Sequence, residues 1–90
     1  MADRSSSQAM VRVKSLFFAV YRDLIGADEL EFELPEGSTV GALIEIVRTR
    51  AGADRLPPSL VVAVNQDYAP IDTVLHDGDE VAFIPPVAGG

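Results

Sequence analysis

The segment ELEFELPEGSTVGALIEIVRTRAG, residues 29–52, determines the predicted fold because two hydrophobic periods follow each other within it. In its first part glutamates alternate with Leu30, Phe32 and Leu34, and a period of two is typical of a half-buried strand. In its second part the apolar residues recur at helical spacing, at Val40, Leu43, Ile44, Val47 and Ala51. The segment therefore predicts a strand with one face on a core, followed by the one long helix of the chain.

Short signals mark both ends of that helix. Residues 35–37, Pro-Glu-Gly, interrupt the strand, and either Ser38 or Thr39 is placed to accept a hydrogen bond from an unpaired N–H of the first turn. Arginines in the last turn complement the helix dipole, and Gly52 is predicted to end the helix.

Upstream of this segment, the sequence predicts a first strand and a short helix. VRVKSLFF, residues 11–18, is rich in β-branched and aromatic residues, which favour a strand. We expect its core-facing side to be Val11, Val13, Ser15 and Phe17, which leaves Leu16 and Phe18 facing outward. AVYRDLIG, residues 19–26, then predicts a short helix closed by Gly26 in the left-handed conformation.

Downstream of the long helix, three more strands are expected. LVVAVNQ, residues 60–66, predicts a buried strand, and Asn65 to Asp67 turns the chain into a second short strand within residues 68–75. His76-Asp77-Gly78-Asp79 predicts a tight turn with Gly78 at positive φ, and the last strand runs from Glu80 to Ile84.

This order of elements predicts an α+β fold, with a mixed five-stranded sheet and one main helix packed on one face. The preference for right-handed crossovers places the last strand beside the first and parallel to it, which is the β-grasp arrangement. The chain then leaves the domain from the middle of the sheet. We expect a disordered leader at residues 1–9, the folded domain at residues 10–84 and a flexible tail at residues 85–90.

Composition excludes several classes of protein. The formal net charge is −7, with acids clustered at residues 29–36 and 77–80, so binding to nucleic acid or to an anionic membrane is disfavoured. These acids fit either a solvated face or docking onto a basic partner. Because the chain has no Cys, no export signal and no apolar stretch that could span a membrane, we expect a cytoplasmic protein without disulfides.

The folded domain offers little catalytic chemistry. His76 is the only histidine, and it lies in a turn with no Cys to activate. Asp77-Gly78-Asp79-Glu80 lacks the alternating acids and the distal Glu of a calcium loop, and the glycines follow no nucleotide-loop spacing. We therefore expect no metal site, no bound cofactor and no active site belonging to this chain alone.

The C-terminus is the unusual chemical group. A carboxylate such as that of Gly90 is ionised at neutral pH and is a poor electrophile until one oxygen becomes a leaving group. Gly89 and Gly90 have no side chains and can enter a narrow channel, while Pro85 and Pro86 stop the strand and favour an extended tail. The tail reaches at most about 20 Å, at roughly 3.3 Å per residue. The alternative is that the two terminal glycines occur by chance or form a frayed end.

LHDGDEVAFIPPVAGG, residues 75–90, resembles the C-terminus of the small subunits of molybdopterin synthase, a family of ubiquitin-like β-grasp sulfur carriers. LFFAVYRDLIG, residues 16–26, resembles the family's first strand and short helix, and AVNQ, residues 63–66, its central strand. The resemblance covers residues 11–90. Two positions depart from the usual pattern: Ala88 occupies a variable small position, and Ile84 stands where many relatives carry Phe.

The resemblance implies a cycle carried out at Gly90. An adenylyltransferase related to ubiquitin-activating enzymes uses ATP and Mg²⁺ to form an acyl-adenylate, and a sulfur donor protein converts it to a thiocarboxylate. The tail, comprising Pro85, Pro86, Val87, Ala88, Gly89 and Gly90, then enters the large subunit of molybdopterin synthase, where the sulfur attacks cyclic pyranopterin monophosphate. The resemblance also implies a heterotetramer of two small and two large subunits.

Strand parity predicts a docking face near the tail. Phe18 and Ile84 fall on the outward side of neighbouring parallel strands and would form an exposed apolar surface, and such surfaces mark interfaces. The resemblance adds Arg22 to this partner-binding set. Alternatives remain open: Phe18 could complete the core beneath a loop. The chain could also serve thiazole, cysteine or tRNA thiolation, act as a ubiquitin-type modifier of lysines, or be an inert β-grasp interaction module.

Overall fold

The computed structural model describes residues 9–51, 55–57 and 59–85. Its elements are β1 (Met10–Phe17), α1 (Val20–Ile25), β2 (Glu29–Pro35), α2 (Val40–Ala51), β3 (Val61–Val64), β4 (Asp67–Ala69) and β5 (Glu80–Ile84). This is the element order that the sequence predicts. The predictions for the leader, apart from Ala9, and for the tail beyond Pro85 lie outside the described residues.

The five strands form one mixed sheet in the order β2-β1-β5-β3-β4. β1 pairs antiparallel with β2, from Met10 opposite Pro35 to Leu16 opposite Glu29. β5 lies parallel to β1, with Phe17 opposite Phe83, and it pairs antiparallel with β3. The predicted α+β architecture and the parallel pairing of the first and last strands are confirmed, and β5 occupies the centre of the sheet.

The core lies between α2 and one face of the sheet. Val11, Val13 and Phe17 are buried on β1, as the alternation predicts, and the ring of Phe17 stacks on that of Phe83 at a centroid distance of 5.1 Å. The helix contributes a stripe of four buried residues, Val40, Leu43, Ile44 and Val47. Burying side chains of this size stabilises the fold by about 1.5–3 kcal/mol each.

One helix end and one turn take the conformations that the sequence predicts. Gly26 ends α1 with φ of 88°, and its N–H donates to the Arg22 carbonyl oxygen at 2.8 Å. Gly78 also has φ of 88° in the turn before β5. A side chain at either position would be strained, because positive φ brings Cβ close to the backbone.

The structure decides which residue caps α2. The Thr39 hydroxyl oxygen accepts a hydrogen bond from the Ala42 N–H at 3.3 Å, whereas the Ser38 hydroxyl donates to the Pro35 carbonyl oxygen at 2.7 Å. Thr39 is therefore the N-cap, and Ser38 stabilises the turn that precedes it.

Residues 70–75 also complete the first turn of α2. The N–H groups of Val40 and Gly41 donate to the carbonyl oxygens of Thr73 and Ile71, at 2.9 and 2.8 Å. The first N–H groups of a helix have no partner within the helix, so this segment supplies the missing acceptors. The predicted second short strand is thus only the three residues of β4, and the chain that follows it packs against the helix start.

In the part of the chain that the structure describes, no helix is both long enough and apolar enough to cross a membrane.

Candidate functional site

The tail begins at the centre of the sheet. β5 lies between β1 and β3, and Pro85 directly follows its last residue, Ile84. Pro86, Val87, Ala88, Gly89 and Gly90 lie outside the described residues, so the predictions about them remain predictions. The described residues nevertheless define the surface from which the tail departs.

That surface is the outer face of the sheet, opposite α2. Alternation along the strands places Ala82 beside Leu16 and Ala63, and Ile84 beside Val61. Phe18 directly follows β1, and Tyr68 lies opposite Ala63 on β4. These seven residues form what we call the outer apolar patch: Leu16, Phe18, Val61, Ala63, Tyr68, Ala82 and Ile84.

Several large apolar side chains of the patch are exposed to solvent. Phe18 is 46% exposed, Val61 52% and Tyr68 75%. Since a residue that closes a core would be buried, Phe18 does not complete the core beneath a loop in the described structure. Exposed aromatic and aliphatic groups that lie together are typical of surfaces that bind another protein.

Two shallow depressions lie within the patch and share Tyr68 and Ile84. The first, of about 410 Å³, has both Phe18 and Ile84 in its wall, together with Glu80 at its margin. The second, of about 380 Å³, lies at the tail root and is lined by Tyr21, Pro57, Ser59, Val61, Tyr68, Ile84 and Pro85. The structure therefore brings Phe18 and Ile84 together, and their role in binding a partner remains a prediction.

Tyr21 forms the inner wall of the second depression. It is 3% exposed, and burial raises the pKa of its phenol above the ordinary value of 10.0, while the positive charge of Arg48 acts in the opposite direction. The phenol is consequently neutral at physiological pH, which keeps this depression free of negative charge.

Arg22 lies apart from the patch. Its side chain is exposed on α1, its Nε atom is 3.9 Å from the Asp23 carboxylate, and it lines neither depression. The predicted contact of Arg22 with a partner therefore rests on the family resemblance alone.

Sequence reasoning missed Tyr68 as a member of this surface. Its position follows from the two-residue turn at Asn65 and Gln66, both of which have positive φ, because such a turn fixes the register of β4 on β3. The Asn-Gln pair between two short apolar runs was the available signal. That signal places Tyr68 on the surface only if residues 67–69 are known to continue as a strand.

The polar residues at the other end of β5 have structural roles. The Asp79 carboxylate accepts hydrogen bonds from the backbone N–H of His76 at 2.8 Å and from the side-chain Nδ2 of Asn65 at 2.9 Å, and the side-chain Oδ1 of Asn65 accepts one from the backbone N–H of Glu80. The His76 ring is exposed, with Nδ1 3.9 Å from Asp79. Within the described ranges, no three His, Asp or Glu residues lie close enough together to hold a metal ion.

Comparison with known proteins identifies the family. The family model described as the ThiS family matches residues 15–90. A Mycobacterium tuberculosis protein named molybdopterin synthase sulfur carrier subunit is 43% identical over 89 residues, covering 90% of this chain and all of that protein.

Two solved structures have the same fold. A Pyrococcus furiosus protein described as a putative molybdopterin converting factor, subunit 1, is 41% identical with a TM-score of 0.77, covering 86% of this chain and 99% of that one. A complex of subunits 1 and 2 of molybdopterin-converting factor from Helicobacter pylori contains a chain that is 23% identical with a TM-score of 0.64, covering 89% of this chain and 100% of that one. That second likeness concerns the fold alone. The match across most of the sequence, through to its last residue, shows that this chain belongs to the ThiS family.

Proposed function

We propose that this chain is the sulfur-carrier subunit of a molybdopterin synthase and that its working group is the terminal carboxylate of Gly90. The observation that carries the proposal is the position of the tail. The chain leaves the middle of the sheet at Pro85, directly beside the exposed outer apolar patch. A partner that binds the patch is therefore placed to receive the last residues in its own active site.

Activation of Gly90 requires a second protein. An adenylyltransferase of the ubiquitin-activating type joins the carboxylate to the AMP part of ATP, with Mg²⁺, and releases pyrophosphate. Sulfide-level sulfur supplied by a donor protein then attacks the carbonyl carbon and displaces AMP, which leaves a thiocarboxylate. The described part of this chain contributes no cluster of metal-binding residues to that reaction. Its contribution is to present a tail whose last two residues carry no Cβ atoms.

Sulfur delivery takes place on the large subunit of the synthase. There the thiocarboxylate sulfur forms a bond to cyclic pyranopterin monophosphate. Water then hydrolyses the bond between that sulfur and the Gly90 carbonyl carbon, so the sulfur stays on the pterin and the carrier returns to its carboxylate form. The chain contains no Cys, so no thiol of its own can exchange with the sulfur during transport between the two partners.

The outer apolar patch is the docking surface for both partners in this proposal. Phe18 and Ile84 line its first depression, and the exposed ring of Tyr68 separates that depression from the second. Arg22 joins the contact at its periphery. Because one surface serves both partners, the activating enzyme and the large subunit bind in succession, and the net charge of −7 favours basic partners. The cycle takes place in the cytoplasm.

Intact-mass spectrometry tests this function. The chain is incubated with the adenylyltransferase, ATP, Mg²⁺ and a sulfur source, and we expect one oxygen atom to be replaced by sulfur. A ubiquitin-type modifier would instead appear attached to lysines of other proteins, and an inert interaction module would keep its mass.

The second stage of the test separates the possible pathways. Adding the large subunit and cyclic pyranopterin monophosphate should yield molybdopterin and restore the original mass of the carrier. A thiocarboxylate that forms but is not consumed would point to thiazole, cysteine or tRNA thiolation. Light scattering of the mixture tests the expected heterotetramer.

A further inference from the structure

β2 forms one edge of the sheet and has a row of backbone groups with no partner among the described residues. The Phe17 N–H donates to the Asp28 carbonyl oxygen, and the Glu36 N–H donates to that of Ala9. In an antiparallel pair the backbone groups of alternate residues point toward the neighbouring strand. The even-numbered residues of β2 therefore bond to β1, and the N–H and C=O groups of Glu29, Glu31 and Glu33 point away from the sheet.

Those outward groups have no hydrogen bond with any other residue that the structure describes. Pro35, which has no N–H to leave unpaired, occupies the next outward position at the end of the strand. An exposed row of this kind can accept another strand, a recurrent mode of peptide recognition.

The side chains of β2 specify which strand would fit. β1, which already pairs with β2, has the side-chain pattern that fits: its residues Val-Arg-Val-Lys alternate, with the valines toward the core and the basic residues toward the glutamates. The Arg12 Nε atom lies 3.3 Å from Glu33, and the Lys14 Nζ atom lies 3.8 Å from Glu29. Glu31 forms no ion pair with any described residue, and Asp28 and Glu36 add negative charge at the two ends of the edge.

The inner side of the same edge is apolar. Leu30 and Phe32 pack against the core but remain partly exposed, because no strand in the described part of the chain lies outside β2. Ile46 is 39% exposed. The opposite flank of α2 carries Gly41, Ile44 and Arg48, which face Leu60 and Ile71. Ile46 therefore lies on the flank that is turned away from those two residues. An added strand would therefore meet carboxylates on one side and apolar side chains on the other.

We propose that the free edge of β2 binds an extended segment of a partner protein in which lysine or arginine alternates with aliphatic residues. The segment would add a sixth strand, with its basic side chains beside Glu29, Glu31 and Glu33 and its aliphatic side chains over Leu30 and Phe32. A second copy of this chain does not fit, because pairing β2 with β2 would set glutamate against glutamate.

This site borders the outer apolar patch, since Leu16 of the patch lies opposite Glu29, but it does not include β5 or the start of the tail. β1 stands between β2 and β5, and the outward backbone groups of β2 point away from β1, so the edge can be occupied while Phe18, Ile84 and Pro85 remain accessible. The inference does not rest on the proposed sulfur-carrier function, and either can fail without the other.

NMR titration of the full, ¹⁵N-labelled chain tests the site. The probe is a short peptide, blocked at both ends, in which valine alternates with lysine and arginine, and the control has the same composition with its basic residues grouped at one end. We expect the alternating peptide to shift the amide signals of residues 29–35 and to slow hydrogen exchange at Glu29, Glu31 and Glu33. Equal effects of the two peptides, or shifts centred on Phe18 and Ile84, would overturn the proposal.

Two substitutions at Glu31 separate backbone pairing from charge. Glu31→Pro removes an N–H that points away from β1, so the sheet should remain intact while affinity for the peptide falls by about tenfold, the effect of losing one hydrogen bond. Glu31→Gln keeps that N–H and should weaken binding by no more than about fivefold. If Glu31→Pro binds as the wild type does, the peptide does not pair with this edge.

Discussion

At the scale of single residues, Phe18 is the residue whose substitution we expect to affect partner binding most. It is 46% exposed in the wall of the depression that it shares with Ile84. Phe18→Arg would place a charge in an apolar contact, where its desolvation is unfavourable, so we expect affinity for both the activating enzyme and the large subunit to fall at least about tenfold. Calorimetric titration with each partner measures this loss.

Met10 offers a matched control for that substitution. It lies at the first residue of β1, the strand that Phe18 directly follows, and it is also 46% exposed, but it lies at the end of β1 far from Pro85. Met10→Arg should leave both affinities close to those of the wild type. Unchanged binding of Phe18→Arg would remove Phe18 from the interface, and an equal loss in the two variants would show a general effect of added charge.

Ser15 leads to a prediction about stability. It is fully buried on the core side of β1, and its hydroxyl has no hydrogen-bond partner among the described residues. Because burial of an unpaired hydroxyl is unfavourable, Ser15→Ala should raise the free energy of unfolding by about 1 kcal/mol. Urea denaturation measures the change, with Ser59→Ala at an exposed position as the control. A loss of stability in Ser15→Ala would mean that the hydroxyl contributes a favourable interaction.

Tyr21 leads to a prediction about alkaline pH. Burial raises the pKa of its phenol above 10.0, despite the opposing effect of Arg48. The folded state then retains the proton at a pH where the unfolded state loses it, so stability should fall as the pH rises above about 10. Urea denaturation at increasing pH should show a shallower fall for Tyr21→Phe than for the wild type. Tyr68→Phe, at a 75% exposed position, should follow the wild type, and identical pH profiles for all three proteins would contradict the assignment.

At the scale of secondary-structure elements, the start of α2 depends on Thr39. Its hydroxyl oxygen accepts the Ala42 N–H, and its removal by Thr39→Ala should lower the free energy of unfolding by about 1 kcal/mol. Thr39→Ser retains the hydroxyl and should cost much less. Thermal and urea denaturation compare the two variants, and equal stability of Thr39→Ala and the wild type would show that residues 70–75 alone satisfy the helix start.

The elements with a clear hydrophobic period were predictable from the sequence, and those formed by long-range pairing were not. The alternation in β1 and β2 and the helical stripe in α2 each reveal which side chains are buried, because burial imposes the period directly. Residues 70–75 have no such period, since the carbonyl oxygens of Ile71 and Thr73 form the contacts with the helix. Backbone contacts leave little trace in the amino-acid sequence.

Some residues of the candidate site could also be predicted from the sequence, and others could not. Phe18 and Ile84 could be placed on one face by strand parity, once the parallel pairing of β1 and β5 was assumed. Tyr68 reaches that face only because the positive φ values of Asn65 and Gln66 make a tight turn there. The sequence predicts a turn at Asn65 to Asp67, but Gln66 is not a usual residue at positive φ, so the two-residue turn and the register of β4 were not predicted.

At the scale of the whole molecule, the fold separates three surfaces by their position in one sheet. The central strand β5 leads to the tail, the outer apolar patch lies beside the point where the tail departs, and the acidic edge of β2 borders the patch on the far side of β1 from β5. The core beneath them holds this arrangement together through the stacked rings of Phe17 and Phe83 on the two parallel strands. The packed domain thus fixes where the tail begins relative to the outer apolar patch.

The central claim is that the terminal carboxylate of Gly90 carries the sulfur, and its most direct test is a chain in which that group alone is converted to an amide. The amidated chain should melt at the temperature of the wild type, because the change removes no contact of the core. Incubated with the activating enzyme, ATP, Mg²⁺, the sulfur source, the large subunit and cyclic pyranopterin monophosphate, it should form no molybdopterin, whereas the unmodified chain should. Molybdopterin formation by the amidated chain at the rate of the unmodified one would contradict the claim.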